Sequence, residues 1–327
     1  MVIVNWNTKD DLANCLRSFQ NEQMKVRFDI TVVDNRSTDG SSEMVRNYFP
    51  AVRLIANERN LGFAAAANQG IRNASGRYIL LLNPDIINHP GTLEGLVKTF
   101  DQLPDAGALA PKLLNADGSL QSGYFRKYPS VGQVLFFHTF LAPWSEKSSW
   151  LTRKYFEDVR HDADELYTVE QIPGGCIMVS REVVESVGLL DETFFLFYED
   201  VDWCFRIRSS GKKLYVQPKY SMTHLGARSY EQSDRTWMKA RFGLSLNLFI
   251  DKHGSLVQRI VTRALTFFNS LLIVILRRLQ LSIVASSERD RIAKSLQSHK
   301  LLLVTFLEHY CPRFFPSNVE RLLPEQW

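Results

Sequence analysis

The first hundred residues alternate short apolar runs with stretches of helical periodicity. Leu12, Leu16 and Phe19 recur at the spacing of one helix face, and the alanine-rich stretch over residues 62–75 predicts a second helix. Four apolar runs predict strands, and they are VIVNW, DITVVDN, VRLIAN and RYILLLNPD. Because these strands alternate with helices and lack a polar face, we expect a parallel sheet with helices on both sides.

The chain changes character in its second half. The stretches GALAPKLLNADG, PGGCIMVS and KLYVQPKYSMTH predict three more strands, and REVVESVG predicts a helix. After about residue 229 glycine becomes rare and the periodicity is wholly helical. We therefore predict an α/β body over residues 1–230 and a helical tail over residues 231–327.

Composition places the chain among globular proteins. Its 45% hydrophobic and 23% charged residues are far from the values of disordered chains. The four cysteines are scattered without a C-x-x-C spacing, which argues against a zinc site or a disulfide framework. We therefore expect a reducing compartment, and the N-terminus MVIVNWNTKD lacks the features of a signal peptide.

The net charge of +4 is unevenly distributed. Residues 235–300 carry twelve Lys or Arg against three Asp or Glu, a local excess of +9 that leaves −5 for the rest of the chain. A basic tail on an acidic body favours an anionic partner surface. Basic and aliphatic residues alternate there without a nucleic-acid-binding motif, so we expect a membrane rather than nucleic acid.

Residues 256–283 of the tail predict an amphipathic helix. Its apolar face comprises residues 260, 264, 267, 268, 271, 272, 275 and 279. The uninterrupted apolar run, Leu271 to Leu276, is far shorter than the roughly 20 residues that span a bilayer. The sequence leaves two interpretations open: peripheral membrane contact, or packing on the body or on a second subunit of a homodimer.

Polar residues follow the predicted strands at the edge where open α/β sheets bind ligands. Asn5 follows the first strand and Asp34 the second; Asp34 is suited to a nucleotide base or ribose, or equally to a turn before the next helix. Asn83 and Asp85 follow the fourth strand, in NPD. Asp85 could ligate a hard divalent cation or close a plain Asx turn.

Two further features are candidates for ligand contact. Gly174 and Gly175 precede a strand, where the backbone can approach a ligand closely or simply turn. His224 lies at the end of the last predicted strand, either as a structural residue or as a second metal ligand.

The stretch TFFLFYEDVDWCFRIRSSGK places carboxylates among aromatic residues, which is costly unless they are paired, bind metal or do chemistry. On a helix, Asp202 and Arg206 lie four apart and predict an ion pair. Asp200 points about 100° away from Glu199. One paired carboxylate beside a free one is how a general base is arranged.

These segments together resemble the inverting family 2 glycosyltransferases of the GT-A fold, in particular the rhamnosyltransferase-like branch of bacterial cell-wall and O-antigen synthesis. The resemblance covers about residues 1–230. It rests on VIVNWNTKDDLANCLRSF, VVDNRSTDGS, NERNLGFAAAANQGI, GRYILLLNPD, PGGCIMVSREVVESVGLLDETFFLFYEDVDWCFR and THLGARS. It departs from the family in two places: NPD replaces an Asp-x-Asp motif, and alanines at 65–67 replace two glycines and an amide.

The resemblance implies a role for each candidate residue. Asp200 is the catalytic base, supported by Glu199 and Arg206, while Asp85 and His224 hold Mg²⁺ or Mn²⁺. The expected nucleotide-sugar contacts are Asn5, Asp34, Arg59, Asn60, Asn68, Asn83, Asp85, Gly174 and Gly175.

The implied activity is metal-dependent transfer of a sugar, with inversion, from a dTDP- or UDP-sugar to a glycan or a polyprenyl-diphosphate-linked acceptor. dTDP-rhamnose is the expected donor, and the expected location is the cytoplasmic face of the bacterial plasma membrane. Alternatives are another hexosyl or N-acetylhexosaminyl transferase and a non-catalytic sugar-nucleotide-binding protein. A nucleotidyltransferase is disfavoured, because NWNTKDD after the first strand is not a glycine-rich loop with Lys or Arg.

Overall fold

The computed structural model describes residues 1–20, 26–121, 126–156, 164–226, 235–283 and 286–311. The chain forms two compact units. The sheet unit comprises Met1–Tyr128, Glu157–Phe195 and Glu199–Ser229, and the helical unit comprises Pro129–Phe156, Leu196–Tyr198 and Tyr230–Trp327. The division predicted at 230/231 stays a prediction, and residues 227–234 around it lie outside the described residues.

The sheet unit is built on one nine-stranded sheet. Its strands are β1 (Val2–Asn5), β2 (Thr31–Asp34), β3 (Arg53–Ala56), β4 (Tyr78–Leu82), β5 (Ile86–Asn88), β6 (Ala106–Leu114), β7 (Tyr167–Val169), β8 (Cys176–Ser180) and β9 (Lys213–His224). The strand order is β3-β2-β1-β4-β8-β6-β9-β5, with β7 paired to β9. The first four strands are parallel, as predicted, whereas β8 runs antiparallel to both β4 and β6 and makes the whole sheet mixed.

Helices cover both faces of this sheet, which confirms the predicted α/β class. They are α1 (Lys9–Gln20), α2 (Ser41–Tyr48), α3 (Phe63–Asn73), α4 (Thr92–Asp101), α8 (Arg181–Val187) and α9 (Glu199–Ser209). Within β1, Ile3 packs in the core under α1, α2 and α4, while Val2 and Val4 pack in the core under α3, α8 and α9. Burial on both faces explains why the strand sequences lack a polar face.

The helix α3 lies close to β1 because small residues occupy most of its buried side. Ala64, Ala66 and Ala67 are fully buried, and a Cβ on Gly70 would meet Val2 Cγ1 at 2.3 Å. A glycine is therefore required at this contact, although an alanine would favour the helix by about 1 kcal/mol.

Gly70→Ala is expected to destabilise the sheet unit, with overpacking costing about 1–3 kcal/mol and outweighing the gain in helix propensity. The midpoint of urea unfolding measures the loss. Val2→Ala in the same chain should recover part of it by making room for the new methyl, so the double-mutant cycle should show favourable coupling. Additive effects of the two changes would contradict the proposed contact.

The helical unit contains six of the described helices. They are α5 (Val131–Phe137), α6 (Ala142–Ser145), α7 (Ser149–Tyr155), α10 (Arg235–His253), α11 (Leu256–Ile283) and α12 (Ser286–Tyr310). The predicted helical character of the tail is confirmed for its described residues, whereas α5–α7 were not predicted.

The length of α11 corrects one sequence-based expectation. At 28 residues this helix is long and apolar enough to cross a membrane, judged by length and composition alone. The estimate from the uninterrupted run Leu271–Leu276 was wrong, because isolated Asn, Ser and Thr residues within the helix do not end its apolar stretch.

Candidate functional site

The carboxyl ends of β1 and β2 carry a dense polar network around Asp34. Asn5 Nδ2 and Ser37 Oγ donate to Asp34 Oδ1 at 2.8 and 2.5 Å, while Ser37 N and Ser42 Oγ donate to Oδ2 at 3.1 and 2.8 Å. These four hydrogen bonds use the roughly four acceptor sites of one carboxylate. Asp34 therefore fills the turn role that the sequence left open, and its role toward a nucleotide stays a prediction.

Two predicted ligand contacts, Asn60 and Asn68, are buried and bonded within the fold. Asn60 Oδ1 accepts from Asn35 Nδ2 at 2.8 Å and from Gly62 N at 2.9 Å, which shapes the turn before α3. Asn68 donates to Leu190 O and to Glu192 Oε1, each at 2.9 Å. Both N–H groups of the Asn68 amide are thereby used. Arg59, the residue before Asn60, is exposed. Their roles toward a nucleotide sugar stay predictions.

Asp85 and His224 lie together because β5 pairs with β9. Ile86 is in register with His224, and Leu225 N donates to Asp85 O at 3.0 Å. The Asp85 Oδ1 and His224 Nε2 atoms are 3.3 Å apart, and both side chains are largely buried. The resemblance implied that these two residues share a cation; the short strand β5 that joins them was not predicted.

Gln121, which the sequence analysis missed, orients the ring of His224. Its Oε1 atom lies 2.8 Å from His224 Nδ1 and can only accept, so Nδ1 is the donor in this contact. The other ring nitrogen, Nε2, faces Asp85 Oδ1, a buried atom with no hydrogen-bond partner among the described residues. A buried carboxylate oxygen and an imidazole nitrogen at this distance are stabilised by a proton or a cation between them.

This pair fits a divalent cation that has most of its ligands outside the protein. With metal–ligand bonds of about 2.1 Å, both atoms can bind one ion. Among the described residues there is no group of three or more His, Cys, Asp or Glu side chains that could hold a metal. Phosphate and water oxygens would therefore complete the coordination sphere.

Asp200 is held at the N-terminus of α9 by two backbone N–H groups. Gly174 N donates to Oδ2 at 2.7 Å and Val201 N donates to Oδ1 at 2.8 Å. Burial raises the pKa of the Asp200 carboxyl above its ordinary value, against the opposing effects of these two donors and of the Arg126 charge. Each oxygen accepts one bond and keeps a lone pair for another donor.

The Gly174–Gly175 turn links the two halves of the site. A Cβ on Gly174 would lie 3.3 Å from Asp200 Cβ and 3.3 Å from Phe63 Cε1, so this position has little room for a side chain. Gly175 O accepts from Asn83 N at 2.9 Å, two residues before Asp85. The turn therefore contacts both the segment that carries Asp200 and the segment that carries Asp85.

Cys204 was also missed, because it resembles an ordinary buried cysteine in the sequence. Its sulfur accepts from Ile172 N and donates to Ile172 O, both at 3.3 Å. Cys204 lies one helical turn after Asp200, so this double contact holds the segment before Gly174 against α9.

Asp202 of the motif is paired within the fold. Arg206 Nε donates to Asp202 Oδ2 at 2.7 Å, which confirms the predicted pair, and its other nitrogens donate to Val187 O and Leu189 O. Asp202 is fully buried by this arrangement, and Glu199 is also buried. The supporting roles predicted for Glu199 and Arg206 stay predictions.

Two of the aromatic residues before Asp200 pack within the helical unit. Phe197 and Tyr198 belong to the helical unit, where the Phe242 ring lies 5.5 Å from Phe197 and 5.2 Å from Tyr198. Both residues have left-handed backbone, with φ of +67° and +69°. Two consecutive non-glycine residues in this region persist only where packing fixes them, and here the contact with α10 does so.

The raised pKa of Asp200 has a consequence for stability. A carboxyl with a higher pKa in the folded than in the unfolded protein stabilises the fold when protonated, and this contribution is lost as pH rises through the folded-state pKa. The unmodified protein should therefore lose stability relative to Asp200→Asn as the pH rises. The difference in free energy of unfolding, variant minus unmodified protein, should increase from about pH 3 toward pH 7. Urea titrations across that range measure it, and a flat or falling difference would contradict the assigned burial cost.

Comparison with known proteins adds two findings. A family model described as glycosyl transferase family 2 matches residues 1–188. A protein of Mycobacterium tuberculosis named N-acetylglucosaminyl-diphospho-decaprenol L-rhamnosyltransferase is 27% identical over 241 residues, which cover 69% of this chain and 75% of that relative.

Solved structures share the fold at lower identity. GalNAc-T7, solved with UDP, GalNAc and Mn²⁺, matches 96% of this chain with a TM-score of 0.58 and 16% identity, and the match spans 57% of the GalNAc-T7 chain. A mannosyltransferase of Pyrobaculum calidifontis, solved with GDP-Man and Mn²⁺, matches 92% of this chain and 86% of its own with a TM-score of 0.51 and 14% identity. The sheet and its flanking helices therefore have the GT-A architecture.

Proposed function

The chain belongs to the family 2 glycosyltransferases, and we propose that it is a metal-dependent inverting enzyme that transfers rhamnose from dTDP-rhamnose to a glycan or a polyprenyl-diphosphate-linked acceptor. The choice of rhamnose and of a lipid-linked acceptor is supported by the name of the mycobacterial relative. The proposed setting is cell-envelope polysaccharide synthesis at the cytoplasmic face of a bacterial plasma membrane.

The observation that carries this proposal is the Asp200 carboxylate, held by two backbone donors and with a lone pair left on each oxygen. In the proposed reaction an acceptor hydroxyl gives its proton to Asp200 as its oxygen attacks the anomeric carbon of the sugar. The bond from that carbon to the diphosphate oxygen breaks in the same step, and the nucleoside diphosphate leaves. One displacement inverts the anomeric centre, so no second carboxylate nucleophile is needed.

Asp85 and His224 would hold the cation, with Gln121 keeping the His224 ring in the tautomer that binds it. When bound, a divalent cation stabilises the negative charge that develops on the departing diphosphate. The Gly174–Gly175 turn then fixes the distance between the base and the residues that bind the diphosphate, because it bonds to Asp200 on one side and to Asn83 on the other.

A thermal-shift panel tests the donor and the cation together. dTDP-rhamnose with Mg²⁺ or Mn²⁺ should raise the melting temperature, since a ligand that binds the folded state stabilises it by mass action. UDP-GalNAc, which joins the UDP and GalNAc found with one structural neighbour, and GDP-mannose, the ligand of the other, serve as competing donors. A larger shift with either would replace rhamnose as the proposed sugar, and equal shifts with and without cation would contradict the metal site.

A further inference from the structure

The helix α11 has its polar and apolar sides arranged opposite to those of a helix on a soluble domain. Thr262 and Ser270 are 0% and 1% exposed, whereas Phe268 is 65% exposed. A helix at the surface of a water-soluble protein normally buries its apolar side and exposes its polar side. The exposed apolar residues of α11 are Leu256, Val257, Ile260, Phe268, Leu271, Leu272, Ile275, Leu276, Leu279 and Ile283.

The buried side of α11 is fixed by its neighbours in the helical unit. Asn247 Nδ2 of α10 donates to Thr266 Oγ1 at 3.1 Å, and the ring of Phe267 lies 5.9 Å from that of Phe306 in α12. Arg263 pairs with Asp251 of α10 at 2.8 Å. These contacts determine which side of α11 faces outward, so the exposure of its apolar side follows from the packing of the unit.

A second exposed apolar group lies beside α11 in the same unit. Phe140 N donates to Asn269 Oδ1 at 2.9 Å, which joins the segment before α6 to the middle of α11. Phe140, Trp144 and Trp150 are 60%, 65% and 62% exposed. The Lys154 ammonium lies 4.5 Å from the Trp150 ring, a pairing of cation and aromatic ring that suits a boundary between water and lipid.

We propose that the exposed side of α11 and the aromatic segment over residues 140–150 together form a surface that lies in the interfacial layer of an anionic lipid bilayer. Tryptophan favours this layer because its ring is apolar and its N–H is polar. Residues 256–283 contain four arginines and no Asp or Glu; Arg278 is exposed, and Lys147, Arg153 and Lys154 are exposed beside the tryptophans. This charge is complementary to anionic headgroups.

The same charge disfavours a second copy of this chain as the occupant. In a two-fold interface the α11 surface would face itself, and its basic residues would have no carboxylate of the partner's α11 to pair with. Spanning is disfavoured as well, because α11 packs along α12, whose Arg289, Asp290 and Arg291 are exposed and would enter the hydrocarbon with it.

Sedimentation of the full-length protein with vesicles tests the surface. We expect binding to vesicles of phosphatidylglycerol and phosphatidylcholine, and little binding to phosphatidylcholine alone. Replacing Phe268, Ile275 and Leu279 together by Gln keeps the charge and should reduce the bound fraction at least about tenfold. Tyr48→Gln, which removes an exposed aromatic residue from the sheet unit, is the matched control and should bind like the unmodified protein.

The tryptophans give a readout that does not depend on that triple substitution. Brominated lipid in the anionic vesicles should quench tryptophan fluorescence, and Trp144→Phe with Trp150→Phe should remove most of the quenching while binding persists.

Undiminished binding of the triple variant, or quenching that is unchanged without the two tryptophans, would overturn the proposal. A triple variant that changes from dimer to monomer by light scattering would assign the surface to a second copy, and resistance to extraction by alkaline carbonate would indicate a spanning helix.

Discussion

Asp200→Asn is expected to lower kcat by about two orders of magnitude or more, with little change in donor affinity. General-base catalysis typically contributes about 10²–10⁴-fold, and the amide cannot accept the acceptor's proton. Donor binding should persist because the proposed diphosphate contacts lie at Asp85 and His224. Acceptor-dependent release of the nucleoside diphosphate measures kcat, and the donor thermal shift measures binding.

Two variants make this result interpretable. Glu185→Gln removes an exposed carboxylate from α8 and should leave kcat unchanged. Glu199→Gln removes the buried neighbour of Asp200 and should lower kcat less than Asp200→Asn does. If Asp200→Asn turns over at nearly the unmodified rate, Asp200 is not the base, and a large loss in Glu199→Gln would assign that role to Glu199.

Asp85→Ala should weaken Mn²⁺ binding in the presence of nucleoside diphosphate more than His224→Ala does. A carboxylate is the harder and charged ligand, and hard divalent cations prefer oxygen. Gln121→Ala should cause a smaller loss, about 10–100-fold, because Gln121 acts by fixing the tautomer of His224. Titration of Mn²⁺ followed by electron paramagnetic resonance measures free ion directly and needs no turnover.

Three outcomes of that titration are distinguishable. Unchanged curves in both Asp85→Ala and His224→Ala would remove the metal assignment. A loss confined to His224→Ala would make His224 the main ligand. Glu94→Gln, an α4 substitution outside the site, is the control for unspecific binding of the cation to surface carboxylates.

The sequence predicted the part of the fold in which local pattern and burial agree. The strands β1 to β4 are covered on both faces, so their apolar runs are unambiguous, and the register Asn5↔Asp34 follows from parallel pairing. The Asp202–Arg206 pair was predictable because both residues lie on one helix. The strand assignments and the ion pair depend on near neighbours in the chain.

The features that escaped prediction depend on contacts between distant segments. β5 has only three residues, too few for a periodic signal, yet its pairing with β9 brings Asp85 to His224. Gln121 meets His224 across 103 positions and Cys204 meets Ile172 across 32, and neither residue type signals such a role.

The central claim is a single displacement at the anomeric carbon with Asp200 as the base and a divalent cation on the diphosphate. Proton NMR of the product, recorded early in a reaction with Mg²⁺ and the donor that the thermal-shift panel selects, tests it most directly. The account predicts a product whose anomeric configuration is opposite to that of the donor, formed only with divalent cation and about 10²-fold or more slowly by Asp200→Asn. A product that keeps the donor's configuration, or one formed equally well in EDTA, would contradict it.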